Sequence, residues 1–206
     1  MGPKHFLNFE KISNQEFVSI IERGIELKNS NETEKTLKGK MLGLVFEQPS
    51  TRTRVSFEVG INNLGGSSIF LSGSELQLSR GEPISDTAKV LSSMLDVIVL
   101  RTDNHEKLEI FSQNSSVPII NGLTNSFHPC QIMADLMTFR EVSKGKSLEK
   151  VCWIGDGNNV CNSYIEAAKL LNFELSIFCP KGYEPNANIL ESSKKFVSLA
   201  TNKEDA

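Results

Sequence analysis

Four short segments of this 206-residue chain combine residue types that could do chemistry. The first, FEQPSTRTRVSFE over 46–58, sets Ser50, Thr51, Arg52, Thr53 and Arg54 directly after a short apolar run and a proline. Read as a helix start, it gathers free backbone N–H groups, the positive end of the helix dipole, hydroxyls and a guanidinium, the donor set that suits a phosphate. The same residues would serve a plainly capped helix, with Ser50 as N-cap and the two arginines solvated or paired with Glu47 and Glu58. The second segment is VIVLRT over 97–102, where Arg101 sits at the end of an apolar strand. A charge there must be paired or work on a ligand, unless it reaches solvent.

The third segment, NSFHPCQIMADL over 125–136, puts His128 just before a helix whose first turn holds Pro129 and Gln131. His128 is read either as a structural hydrogen-bonding group or as a catalyst facing the same sheet edge as the Ser-Thr-Arg turn. Cys130, with no second histidine nearby, is read as packing. The fourth segment is GDGNNVCNS over 155–163. Its G-x-G follows a strand, but Val160 stands at the third glycine position and the next strand ends in Cys179-Pro180 with no acid for a ribose, so no nicotinamide cofactor is expected. Gly155 and Gly157 permit a tight turn, while Asn158, Asn159 and Asn162 offer amide groups to a polar ligand or to turn and cap chemistry.

These segments need a scaffold, and the chain alternates short apolar runs with helical periodicity. Strands are expected over 41–46, 67–71, 96–100, 117–120, 151–154 and 174–179. Helices are expected over 14–28, 52–64, 85–95 with Ser85 or Asp86 as N-cap, 104–113, 129–143, 159–171 and 187–199. Continuous apolar strands between helices point to an α/β fold with a doubly wound parallel sheet covered on both faces. Ligands then bind beyond the carboxyl ends of the strands, where the four segments lie. A polar break at KGKS separates a first domain over 1–143 from a second over 144–206. The second holds two strand–helix units and is read as incomplete.

Composition narrows the class further. Net charge is −3, from 22 Lys+Arg and 25 Asp+Glu, which argues against nucleic acid or an anionic membrane as partner. No apolar run spans a bilayer and the N-terminus lacks a signal-peptide stretch, so the expected location is the cytosol. Four cysteines without a C-x-x-C pair and three scattered histidines make a zinc site unexpected and favour reduced, mostly buried thiols.

Taken together, F-E-Q-P-S-T-R-T-R-V-S-F-E over 46–58, Arg101-Thr102, His128-Pro-Cys-Gln131 and Gly155-Asp-Gly-Asn-Asn159 closely resemble the carbamoyltransferases, and the ornithine branch in particular. The aspartate branch typically has His-Pro-Thr-Gln and lacks the Gly-Asp-Gly-Asn-Asn junction. The resemblance runs from about residue 6 to the end of the chain. It implies that Ser50, Thr51, Arg52 and Thr53 hold the phosphate of carbamoyl phosphate. It also implies that Arg101, His128 and Thr53 contact the carbonyl oxygen, that Gln131 binds the carbamoyl amino group, and that Asn159 binds the α-amino acid end of L-ornithine. Arg52, Arg101 and His128 would be the catalytic residues, and Arg54 would be structural. Gln77, in LQLSRGEP, matches a loop residue that reaches into a neighbouring subunit's site, although Ser79 stands where the family has glycine.

The implied reaction needs no metal and no organic cofactor, and the implied assembly is a homotrimer through the first domain. Family members are longer, and carry further acceptor loops beyond this point. The chain is therefore expected to be a C-terminally truncated ornithine carbamoyltransferase. The alternatives are a non-catalytic remnant that binds carbamoyl phosphate, or an enzyme with another acceptor such as aspartate.

Overall fold

A computed structural model describes residues 2–30, 34–73, 76 and 81–206. Its elements run in chain order α1 (Asn14–Asn29), β1 (Met41–Phe46), α2 (Thr51–Asn63), β2 (Ser67–Ser72), α3 (Ile84–Ser92), β3 (Val97–Arg101), α4 (His105–Gln113) and β4 (Ile119–Leu123). They continue with α5 (Pro129–Val142), β5 (Lys150–Ile154), α6 (Asn159–Leu171), β6 (Glu174–Phe178), α7 (Ala187–Ser193) and β7 (Val197–Leu199). The chain divides into two compact units, Met1–Leu7 with Ser30–Asn125 and Asn8–Asn29 with Ser126–Ala206.

The first unit is built on a four-stranded parallel sheet of order β2-β1-β3-β4. Its central strands are apolar almost throughout because helices cover both faces. Leu42, Leu44, Phe46 and Val99 pack with Ile61 of α2 on one face, while Val45, Ile98, Leu100 and Ile119 pack with Ala88 of α3 and with Leu108 and Phe111 of α4 on the other. Each such side chain fully withdrawn from water contributes about 1.5–3 kcal/mol. The sheet therefore holds its carboxyl ends rigidly.

Two sequence expectations shift in this unit. The strand expected at 117–120 is hydrogen-bonded from Ile119 to Leu123, so Asn121 and Gly122 lie inside it and not in a turn. Asn121 tolerates full burial because its amide donates to the Phe6 carbonyl at 2.8 Å and its side chain donates to the Leu7 carbonyl at 2.8 Å. The N-cap of α3 is Pro83 and neither Ser85 nor Asp86. The extended backbone of Pro83 ends the preceding segment, and the Ser85 hydroxyl turns to Asp86 at 3.4 Å.

The second unit carries a three-stranded parallel sheet of order β5-β6-β7 with α1, α5, α6 and α7. A reciprocal cap opens α1, with Ser13 N–H donating to Glu16 Oε2 at 2.9 Å and Glu16 N–H donating to Ser13 Oγ at 3.2 Å. Phe9 packs edge-on against Phe17 at 5.4 Å. The expected helix 187–199 stops at Ser193, and Val197–Leu199 form β7, paired with Leu175–Ile177 of β6. The Ser-Lys-Lys stretch after α7 offers no apolar face to extend the helix, whereas Val197 and Leu199 suit a strand. Cys161 is buried as expected, but Cys152 is exposed, a departure from the expected burial of the thiols. No described helix is long and apolar enough to cross a membrane.

Candidate active site

The first unit presents two of the four sequence segments on neighbouring strand ends. β1 leads through Pro49 into α2, and β3 ends in Arg101, whose Cα partner across the ladder is Phe46. Ser50 is the N-cap of α2, as expected. Its backbone is extended and its hydroxyl accepts from Thr53 N–H at 3.4 Å. The amides of Thr51 and Arg52 have no partner among the described residues, so they point open donors outward at the positive end of the helix. Thr51 and Arg52 are exposed and Thr53 is half-buried. Arg52 makes no ion pair among the described residues, which leaves its guanidinium available. Arg54 is committed elsewhere: its Nε donates to Glu58 Oε1 at 3.0 Å and its guanidinium lies 3.8 Å over the Phe70 ring.

Arg101 is half-buried, and its Nε is buried with no hydrogen-bond partner among the described residues. Burial also pulls its pKa below the usual arginine value. A guanidinium held this way without a carboxylate is destabilised until an anion reaches it. Glu47, the nearest acid in sequence to the Ser50 turn, pairs with neither Arg52 nor Arg54. Its carboxylate takes the Thr102 hydroxyl at 2.5 Å and Lys107 Nζ at 3.1 Å.

The remaining candidates lie in the second unit, save one. His128 is the N-cap residue of α5, directly before Pro129, and its backbone N–H donates to Ser163 Oγ at 2.8 Å. Ser163 is fully buried and its hydroxyl donates in turn to the Asn159 carbonyl at 3.0 Å. One buried hydroxyl thus links the start of α5 to the first turn of α6. Reading by motif missed Ser163. Gln131 is exposed and donates through Nε2 to Asp135 Oδ1 at 2.8 Å, while Tyr164 OH donates to Asp135 Oδ2 at 3.1 Å. One N–H of the Gln131 amide is thus given to Asp135, and its second N–H and its carbonyl oxygen have no other partner among the described residues.

Asn158, not Asn159, caps α6, accepting from Val160 N–H at 3.0 Å and Cys161 N–H at 3.3 Å. The Asn159 side chain is therefore not consumed by capping. Gly157 is required by close approach, since a Cβ there would meet Pro185 N at 2.3 Å. Desolvation pushes the Cys130 thiol up to about 12, in keeping with packing and not nucleophilic attack. Gln77 lies outside the described residues.

A helix start with open donors beside a half-buried arginine, both at carboxyl ends of a parallel sheet, is the arrangement of an α/β protein suited to phosphorylated small molecules. Residues 4–141 match the carbamoyl-P binding domain of the aspartate/ornithine carbamoyltransferases and residues 148–204 match their Asp/Orn binding domain, and the chain belongs to that family of transferases. The branch follows from individual relatives. The chain is 53% identical over 199 residues to the ornithine carbamoyltransferase of Methylococcus capsulatus, covering 97% of this chain and 67% of that protein. It is 51% identical to the ornithine carbamoyltransferase of Acinetobacter baumannii, covering 100% and 68% respectively. The crystal structure of anabolic ornithine carbamoyltransferase from Campylobacter jejuni superposes with a TM-score of 0.91 at 42% identity, over 97% of this chain and 68% of that one. The chain thus spans about two thirds of the length of these relatives.

Proposed function

We propose that the chain carries the chemistry of an ornithine carbamoyltransferase, moving the carbamoyl group of carbamoyl phosphate to the δ-amine of L-ornithine to give L-citrulline and phosphate, a step of arginine biosynthesis. The observation that carries this reading is the Ser50-capped start of α2 beside Arg101, where among the described residues Arg52 makes no ion pair and Arg101 Nε has no hydrogen-bond partner. In this proposal Ser50, Thr51, Arg52 and Thr53 hold the phosphate. Arg101, His128 and Thr53 meet the carbonyl oxygen, where charge develops as the amine attacks. Fixed donors at that oxygen lower the barrier to the tetrahedral species, and the same phosphate contacts stabilise the leaving group. Gln131 accepts from the carbamoyl amino group through its carbonyl oxygen, and Asn159 takes the amino acid end of ornithine. Gln77 is proposed as the residue contributed to a neighbouring subunit of a homotrimer, in a cytoplasmic protein.

The division of labour proposed is a carbamoyl phosphate domain over 1–143 and an ornithine domain over 144–206, which follows the two matched ranges, whereas the compact units divide at Asn125 and assign Asn8–Asn29 and the segment from Ser126 to the second unit. Calorimetric titration of carbamoyl phosphate tests the reading, with Arg52→Ala expected to weaken binding by about 10- to 100-fold, the worth of a charge-assisted contact. Citrulline formation from ornithine, set against carbamoyl-aspartate formation from aspartate, tests the acceptor. Binding without turnover would instead describe a carbamoyl phosphate-binding protein that is not catalytic. A folded chain that binds no carbamoyl phosphate would refute the reading.

A further inference from the structure

Glu47 is the residue between the last position of β1 and the turn that opens α2, three positions before Ser50. Its side chain is 19% exposed, and both of its carboxylate oxygens lie within hydrogen-bond distance of Lys107 Nζ, at 3.1 and 3.2 Å. The Thr102 hydroxyl donates to the same carboxylate at 2.5 Å, and Glu47 N–H donates to the Arg101 carbonyl at 2.9 Å. Thr102 is fully buried and its oxygen accepts from the amide of Asn104, the N-cap of α4, at 3.3 Å. One side chain therefore ties the end of β1 to the end of β3 and to the first turn of α4.

The strands explain why this acid leaves Arg101 alone. Phe46 and Val99 belong to the core on the α2 face, and Val45 and Leu100 to the core on the α3 and α4 face. Alternation along each strand then assigns Arg101 to the α2 face and Glu47 with Thr102 to the α4 face, where Lys107 waits. Among the described residues Lys107 otherwise pairs only with Asp103, at 3.9 Å. A carboxylate this close in sequence to an anion-binding helix start would repel a phosphate unless its charge were balanced.

We propose that Lys107 neutralises Glu47, with the Thr102 hydroxyl donating to the same carboxylate, so that an acid three positions before the phosphate-binding helix start does not repel the ligand. The inference rests on the carbamoyl phosphate reading above and adds to it three residues that touch no substrate.

Inorganic phosphate and carbamoyl phosphate, titrated calorimetrically into the full chain, test it. Lys107→Met weakens binding of both by about three- to tenfold by exposing the Glu47 charge, and the loss shrinks at high salt. Lys107→Arg retains wild-type affinity. Glu47→Gln binds phosphate as tightly as wild type or tighter, and Glu47→Gln combined with Lys107→Met returns to within about twofold of wild type, because no uncompensated carboxylate remains. A purely structural role would leave the double variant at least as impaired as Lys107→Met and would not respond to salt. The inference is overturned if folded Lys107→Met binds like wild type or if the double variant shows no recovery. Lys107→Gln serves the same comparison should Lys107→Met fail to fold. A wild-type chain that is folded and binds neither ligand overturns the carbamoyl phosphate reading itself, an outcome distinct from the failure of the charge balance.

Discussion

Glu166 gives the second unit a pH-dependent stability whose sign and size follow from its surroundings. It lies on α6 at the wall of a cavity of about 550 Å³ shared with Phe9, Glu10 and Lys169. Its Oε2 accepts from Phe9 N–H at 3.1 Å. Desolvation pushes its pKa from the ordinary 4.5 up to about 7, with the nearby Glu10 charge adding to the rise, while the Phe9 hydrogen bond and Lys169 act in the opposite direction. A carboxyl with a raised folded-state pKa stabilises the fold most fully below its unfolded pKa, where both states hold the proton. That contribution fades as pH rises from about 4.5 through about 7, because the unfolded chain releases its proton first. The full swing is about 3 kcal/mol.

The assay is denaturant unfolding followed by fluorescence of Trp153, the chain's single tryptophan, which sits on β5 in the same unit. Glu166→Gln keeps a carbonyl oxygen for the Phe9 amide while removing the titration. Wild type is expected to lose about 3 kcal/mol relative to Glu166→Gln between about pH 5 and about pH 8. Other titrating groups cancel in that difference. A wild-type curve parallel to that of Glu166→Gln across the range would refute the argument that burial governs this carboxyl.

Other perturbations separate roles that the sequence alone left joined. Gly157→Ala should destabilise the second unit by about 3 kcal/mol or more in the same Trp153 assay, because the added carbon meets backbone at Pro185 and no rotamer relieves it. Arg54→Ala should leave phosphate affinity within about twofold of wild type, since its partners are Glu58 and Phe70, in contrast to the loss expected for Arg52→Ala. Ser163→Ala should leave inorganic phosphate binding unchanged while lowering citrulline turnover, because it removes the acceptor of the His128 amide, at a stability cost of about 1–3 kcal/mol. Alkylation at neutral pH should modify Cys152 first and leave buried Cys161, whose thiol is pushed up to about 12, protected, so that Cys152→Ser removes the fast phase.

The fold was legible where one physical rule dominated. Apolar runs such as MLGLVF and VIVL, too short for helices and bounded by turn residues, can only be strands buried on both faces, and α6 was bounded correctly by Asn158 and by the left-handed Asn172. The reading failed where tertiary partners overrode local chemistry. Asn121-Gly122 carries a turn signature, yet residues more than a hundred positions earlier supply the hydrogen bonds that keep it in β4. Val197–Leu199 followed a helical pattern closely enough to be absorbed into it, and only the open edge of β6 converts it to a strand.

The candidate site shows the same division. Helix-start physics singled out Ser50–Thr53 as the proposed phosphate donors because all of them are contiguous, and among the described residues Arg52 makes no ion pair while Arg54 does. A motif cannot show how an acid is balanced. Glu47 stands in the same FEQPSTRTR segment as the phosphate donors, and the sequence offered it to the arginines as a partner. The sheet's alternation sends it to the opposite face, where a lysine from the next junction meets it, and Arg101 Nε has no partner among the described residues. Ser163 was illegible for a related reason: a serine four residues into a helix is ordinary, and its weight comes only from the His128 amide that another element brings to it. Residues that touch a ligand are written as contiguous motifs because one turn must converge on one small molecule. The residues that hold them in place are scattered, because their partners are chosen by the fold.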